Sequence, residues 1–151
     1  MKITADAIVL WRDKVLLFHR DNIPRIALPD CWQPPGGHLE PGEDAVVAIG
    51  RELKEEVSYV PENLHCVGSF VLPGAEAGKD SWVKVFLFVA RVSDEEAARF
   101  KHGKGEGQGI GFFGLSEFPG LKLTPMAFAL SLLLQPASLD LTKILHQPST
   151  C

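Results

Sequence analysis

Apolar and polar positions fall into short blocks along the chain, and the period within each block predicts its conformation. Residues 4–11 (TADAIVLW) and 14–20 (KVLLFHR) are rich in β-branched and apolar side chains, with only Arg12 and Asp13 between them. They predict two strands closed by a hairpin or close turn. A loop holding Pro24, Pro29, Pro34 and Pro35 then leads into Gly36-Gly37, which reads as a tight turn. From Asp44 to Val57 the apolar positions Val46, Val47, Gly50, Leu53 and Val57 recur close to helical period, with Asp44 as N-cap. Residues 65–72 (HCVGSFVL) and 81–92 (SWVKVFLFVARV) predict strands joined by the turn-rich PGAEAGKD. After a short helical or irregular connection at 93–100, residues 110–115 (IGFFGL) predict another strand. Residues 124–135 open with a threonine cap and proline at the first helical position, and predict a helix packed on the sheet. Strands and helices mingle without a βαβ rhythm, which predicts an α/β fold: a mixed sheet with helices on both faces.

Composition narrows the choice of function. The 151 residues are 46% apolar and 23% charged, the balance of a globular chain, and the length predicts one domain over 1–151. A net charge of −4 and a pI near 5.7 leave no basic stripe for a phosphate backbone, so a nucleic acid duplex is not an expected partner. Cys31, Cys66 and Cys151 are odd in number and form no C-x-x-C pair, which predicts free thiols rather than a disulfide framework or a zinc site. The apolar run after Lys2 is broken by Asp6 and lacks a small-residue cleavage site, so no signal peptide is expected. The longest apolar stretches, VFLFVA and LSLLL, fall well short of the roughly 20 residues of a membrane helix. No membrane partner and a cytoplasmic location are the expectation.

Familiar phosphate motifs are absent. Neither Gly78-Lys79 nor Gly103-Lys104 is followed by the Ser or Thr of a Walker loop. GIGFFG (109–114) has the dinucleotide spacing but lies in a predicted strand and opens no helix. What stands out is the helix ending in RELKEEV, where Glu52, Glu55 and Glu56 lie on one face at offsets of three and four. Like charges so spaced cost about 0.2–0.5 kcal/mol per pair. A solvated face interspersed with Arg51 and Lys54 would tolerate them. It gives no reason, however, for the adjoining glycine pair or for Glu43 placed eight residues before Arg51. A hard-oxygen site for Mg²⁺ or Mn²⁺ accounts for all of these, because a bound cation offsets the repulsion.

The run Gly37, Glu43, Arg51, Glu52, Leu53, Glu55, Glu56 matches G-x5-E-x7-R-E-U-x-E-E-x-G-U, with U a bulky apolar residue. The chain thereby resembles the Nudix hydrolases, over about a sixth of its length. The resemblance implies a Nudix α/β/α sandwich and a Mg²⁺-dependent attack of water on a pyrophosphate bond, in a nucleoside diphosphate linked to another moiety. It implies metal ligands at Glu52, Glu55 and Glu56 with the Gly37 carbonyl, and a Glu43–Arg51 pair that orients the loop on the helix. A distal glutamate of the family is similar to Glu106 in GKGEGQGIGFFGL, where flanking glycines permit backbone movement. Glu55 and Glu106 are both candidates for the base that takes the water proton.

The usual glycine after the last glutamates is Ser58 here, and a left-handed cap at serine costs about 1 kcal/mol more than at glycine. Where members that read oxidised guanine carry an asparagine, this chain has KLTP (122–125). Features of the dinucleoside polyphosphate, coenzyme A and nucleotide-sugar enzymes are also missing. The expected substrate is a nucleoside triphosphate or related small nucleotide, with Arg20 and Arg25 as phosphate contacts and Trp32, Phe70 and Trp82 as pocket aromatics. The alternatives kept open are a non-catalytic Nudix-fold module that binds nucleotide, and a homodimer.

Overall fold

A computed structural model describes residues 1–74 and 81–134. The strands are β1 (Lys2–Trp11), β2 (Lys14–His19), β3 (Trp32–Gln33), β4 (Gly36–His38), β5 (His65–Pro73), β6 (Trp82–Arg91) and β7 (Gly109–Gly114). The helices are α1 (Ala45–Val57), α2 (Asp94–Ala97) and α3 (Pro125–Leu133), with a 3-10 turn at Leu115–Gly120. Residues 75–80, most of the turn-rich stretch, and the tail from 135 lie outside the described residues.

All of these strands form one mixed sheet. β1 runs parallel to β6 from Lys2↔Val83 to Leu10↔Arg91, and β6 pairs antiparallel with the edge strand β5. Beside their hairpin β1 and β2 pair only at Leu10↔Val15 and Trp11↔Lys14. Beyond it they splay apart. β4 takes the freed edge of β1 (Thr4↔His38 to Asp6↔Gly36), and β3 takes the end of β2 (Phe18↔Gln33). β7 pairs along β2 from Lys14↔Gly114 to His19↔Gly109.

The glycine pair read as a turn is therefore a strand wedged into the fork between β1 and β2. Two- and three-residue strands bracketing the buried Pro34 and Pro35 carry no alternation for a pattern to report. Glycine is required there: Gly36 sits at φ +144°, and a Cβ on it would stand 2.7 Å from the Asp6 Cα.

Side chains alternate across β1, which assigns the two cores. Ala5, Ala7 and Val9, with Leu16, pack against Ala45, Ala48, Ile49, Leu53 and Val57 of α1. On the other face Ile8, Leu10, Val15, Leu17 and Val89 meet Phe118 of the 3-10 turn and Leu130 of α3. This is the α/β/α sandwich expected. Each fully buried leucine or valine contributes about 1.5–3 kcal/mol of transfer free energy. The stripe on α1 departs from the sequence reading: Val46 and Val47 are 58% and 55% exposed. The buried face instead runs through Ala45, Ala48, Ile49, Glu52, Leu53, Glu56 and Val57, so two glutamates share it with the core.

Asp44 caps α1 by accepting from the Val47 N–H at 2.9 Å, and Thr124 caps α3 through the Ala127 N–H. The connection at 93–100 contains α2, closed by a Ser93–Glu96 capping box. Cys31 is free and buried, whereas Cys66 is disulfide-bonded. The second observation corrects the reading of a free thiol for Cys66, while Cys151 lies outside the described residues; which thiols meet depends on the fold, and spacing along the chain does not report that. Among the described residues, no helix is long and apolar enough to cross a membrane.

Candidate active site

The site forms where the C-terminal half of α1 lies behind β4. Glu52 and Glu56 point into the protein at 9% and 2% exposure, so a solvated acidic face is excluded for both. Glu56 accepts the Gly36 N–H at 2.9 Å through Oε2. Glu52 lies against Gly37, where an added Cβ would be 2.5 Å from Oε1. The two glycines thus let carboxylates from α1 abut the backbone of β4. α1 ends at Val57, and its cap, two residues after Glu56, is Ser58 in the left-handed conformation (φ +61°, ψ 8°).

Arg51 braces the mouth of the site. Its Nε and Nη2 donate to Glu43 Oε1 and Oε2 at 2.8 and 2.9 Å, a bidentate fork that ties the preceding loop to α1. Nη2 also reaches the His38 carbonyl at 3.0 Å, and Nη1 donates to Glu52 at 2.8 Å and to Glu55 at 3.3 Å. Glu43 further accepts the Glu40 N–H at 2.8 Å. The Arg51 fork, with help from that N–H, holds the Glu43 carboxyl down at about 2.

Glu56 is the contrasting group. Burial pushes its carboxyl up to about 9, and the charges of Glu52, Glu106 and Asp6 push the same way, opposed only by the Gly36 N–H. Burial also raises Glu52, with Arg51 opposing. A buried acid whose neighbours are other acids has too little positive charge around it, and a divalent cation is the natural counter-charge.

Glu106 is exposed on the loop before β7. Gly103 N–H donates to the Glu56 carbonyl at 2.9 Å, and His102 Nε2 contacts the Glu106 carbonyl at 2.8 Å. On the far side of the loop the Gln108 amide donates to the Arg20 carbonyl at 2.7 Å and to Asp30 at 3.0 Å. The loop is thereby anchored at both ends, with the Glu106 carboxylate close enough to Glu52 and Glu56 to raise both. Among the described residues no three acidic, histidine or cysteine side chains converge into a ready-made metal cage. The donor set nonetheless fits a hard cation: carboxylate oxygens of Glu52, Glu55 and Glu56 beside the Gly37 backbone, and no nitrogen or sulfur ligand among them.

A cleft of about 340 Å³ opens on the α3 face of the sheet and reaches Gly36 and Gly37, beside the glutamates. Of Arg20, Arg25, Trp32, Phe70 and Trp82, only Arg20 lines it. Its guanidinium donates to the carbonyls of Ala27 and Leu28 and to Gln33 Oε1, at 2.7, 3.1 and 3.2 Å. Arg25 is exposed on the proline loop. Trp32 is stacked on His19 (4.3 Å between centroids, 7° between planes) and meets Phe113 edge-on. Phe70 and Trp82 stand on β5 and β6 at 36% and 52% exposure, away from the cleft.

Two cleft residues escaped the sequence reading, Asp6 and Gln33. Asp6 is buried, accepts the Thr4 hydroxyl at 2.9 Å, and is pushed up to about 7, chiefly by burial. Its signal was present: a single carboxylate interrupting a strand that is apolar on both sides.

A family model described as NUDIX domain matches residues 1–132, and the chain belongs to that family. It is 45% identical to human 8-oxo-dGDP phosphatase NUDT18 over 53% of this chain and 22% of that protein. It is 34% identical to the ADP-ribose pyrophosphatase of Methanocaldococcus jannaschii over 47% of this chain and 40% of that one. The matches thus span well under half the length of these curated relatives. The crystal structure of a MutT NUDIX hydrolase from Burkholderia pseudomallei superposes with a TM-score of 0.71 at 20% identity, covering 89% of this chain and 98% of that one.

Proposed function

We propose that the protein hydrolyses a pyrophosphate bond in a nucleoside diphosphate linked to another moiety, such as a nucleoside triphosphate, with Mg²⁺ as cofactor and Mn²⁺ able to replace it. The observation that carries this reading is the inward-facing pair Glu52 and Glu56, held against Gly36-Gly37 with Glu56 among other acids. Such a pair is poorly explained by stability alone, since a buried carboxylate without a cation is unfavourable. The names of the relatives, a phosphatase and a pyrophosphatase of nucleotides, support the same class.

Glu52, Glu55, Glu56 and the Gly37 carbonyl would hold the cation. When bound, the ion neutralises phosphate oxygens and acidifies water. Arg51 keeps Glu43, Glu52 and Glu55 in register, so its role is to position. Glu55 and Glu106 are both exposed and able to accept a proton from the attacking water, Glu106 from a glycine-flanked loop that can close over substrate. The nucleoside would occupy the cleft beyond Gly36.

The test is a panel of nucleotides incubated with Mg²⁺ and assayed for phosphate, pyrophosphate and nucleoside monophosphate. Release that requires the metal and is lost in Glu52→Gln is the expected result. Binding of nucleotide without turnover of any of them would replace the hydrolase reading with that of a binding module.

A further inference from the structure

Glu106 stands between two glycines in the left-handed region, Gly105 at φ +100° and Gly107 at φ +74°. Such residues turn freely, so the chain beside Glu106 does not by itself keep the carboxylate near α1. The restraint falls instead on one peptide unit, the one joining Glu106 to Gly107. Its carbonyl accepts from His102 Nε2 at 2.8 Å, and its N–H donates to Asp21 Oδ2 at 3.2 Å. A carbonyl only accepts, so Nε2 is the protonated nitrogen of His102. The peptide unit is planar and rigid, and two bonds at its opposite poles fix the direction it faces. Because the plane ends on the Glu106 Cα, holding it limits where the carboxylate can point.

Asp21 lies 86 residues away in sequence, so its bond ties two loops together and belongs to no local turn. Its own backbone is already in place: the Asp21 carbonyl accepts the Asp30 N–H at 2.9 Å, and the Arg20 N–H donates to the Cys31 carbonyl at 2.9 Å. These bonds close the neck of the 21–30 loop beyond β2, from which the half-buried Asp21 side chain meets the Glu106 loop. Gly107 makes the approach possible, since a Cβ there would run into the Phe18 ring and stand 2.9 Å from the His19 carbonyl. His102 is set from the opposite flank, where the Lys101 and Gly103 N–H groups donate to the Val57 and Glu56 carbonyls at 3.0 and 2.9 Å.

We infer that Asp21 and His102 are positioning residues for hydrolysis, which grip the Glu106–Gly107 peptide and thereby keep the Glu106 carboxylate beside Glu52 and Glu56. Both act through the backbone of Glu106 and touch neither cation nor substrate. Loss of either grip lets the plane turn about the flanking glycines, and a misplacement of about 1 Å at a reacting group can cost about 10²-fold in rate. Substrate binding, carried by the cation and the cleft, changes little. Asp21 is needed only as an acceptor, so asparagine can replace it and alanine cannot.

This assignment rests on the nucleotide-hydrolase reading above, and the experiment separates the two. kcat and KM are measured with Mg²⁺ and the nucleotide of the panel that is turned over fastest, in the unaltered chain, Asp21→Ala, Asp21→Asn and His102→Ala. Asp21→Ala is also made in the Glu106→Gln background, and amide exchange of Gly107 is followed by NMR in every variant. Each alanine variant should lower kcat at least about tenfold with KM within about twofold, while Asp21→Asn stays within about threefold of the unaltered kcat. Without the Glu106 carboxylate, Asp21→Ala should cost less than about twofold more, because the two residues act as one unit. Gly107 should exchange faster in Asp21→Ala and not in Asp21→Asn. The same fractional loss with and without the Glu106 carboxylate, or a loss confined to KM, would overturn the positioning role. Absence of turnover of any nucleotide by the unaltered chain would overturn the hydrolase reading alone; Gly107 exchange then decides the grip, and equal exchange in all variants would overturn it.

Discussion

Glu56→Gln in metal-free protein gives the sharpest test of the site, because the substitution keeps size and hydrogen-bond geometry while removing a titratable group. The folded carboxyl sits at about 9 against an ordinary 4.5, chiefly because it is buried. Folding at pH 7 therefore takes up a proton that the unfolded chain has released. At about 1.36 kcal/mol per pH unit this costs the parent about 3 kcal/mol. The sign follows from the raised value: Glu56 imposes no cost below pH 4.5, and the cost grows as pH rises towards 9. The neutral amide of the variant would carry none of it while still accepting the Gly36 N–H. The variant should be more stable than the parent by about 1 kcal/mol at pH 5 and ~3 kcal/mol at pH 7, a melting difference of roughly 6–12 °C for a chain of this size. Asp6, pushed up to about 7, adds a cost of the same sign in both proteins, so the parent–variant difference reports Glu56 together with its coupling to Asp6. Urea denaturation in EDTA at pH 5, 7 and 8 measures it. A difference that does not change with pH, or a variant less stable than the parent at pH 8, would overturn this account of Glu56. Mg²⁺ should then stabilise the parent and not the variant, whose turnover should collapse.

Ser58→Gly should stabilise the fold by about 1 kcal/mol in urea denaturation, because the left-handed φ of +61° is strained for serine and free for glycine. Gly37→Ala should depress turnover at least about tenfold with little change in melting temperature, since the new methyl meets the movable end of Glu52 at 2.5 Å rather than backbone; a steady-state assay beside a melting curve decides. Glu106→Gln should lower kcat far more than it lowers the melting shift produced by Mg²⁺, as Glu106 is exposed on its loop while Glu52 and Glu56 are already in place. Parental kcat in that variant would return the role of base to Glu55.

The acidic helix, its Asp44 cap, the Thr124-Pro125 helix start and the long strands were legible in the sequence. Each is written in local terms: a period, a capping side chain, a fixed spacing between glutamates and one arginine. The family likewise rests on spacing, and so could be read before any fold was seen. What local pattern could not report is which neighbour a residue meets across the sheet. Gly36-Gly37 read as a turn because two glycines after two prolines look like one; the splay of β1 from β2 made them a strand. Val46 and Val47 fell in the apolar period, yet α1 is rotated so that Glu52 and Glu56 share the buried face and the valines meet solvent. Asp6 read as a break in an apolar run. Only the meeting of β1, β4 and the cleft makes it a buried acceptor, because burial and hydrogen-bond partners depend on distances between segments far apart in the chain, which packing in three dimensions sets.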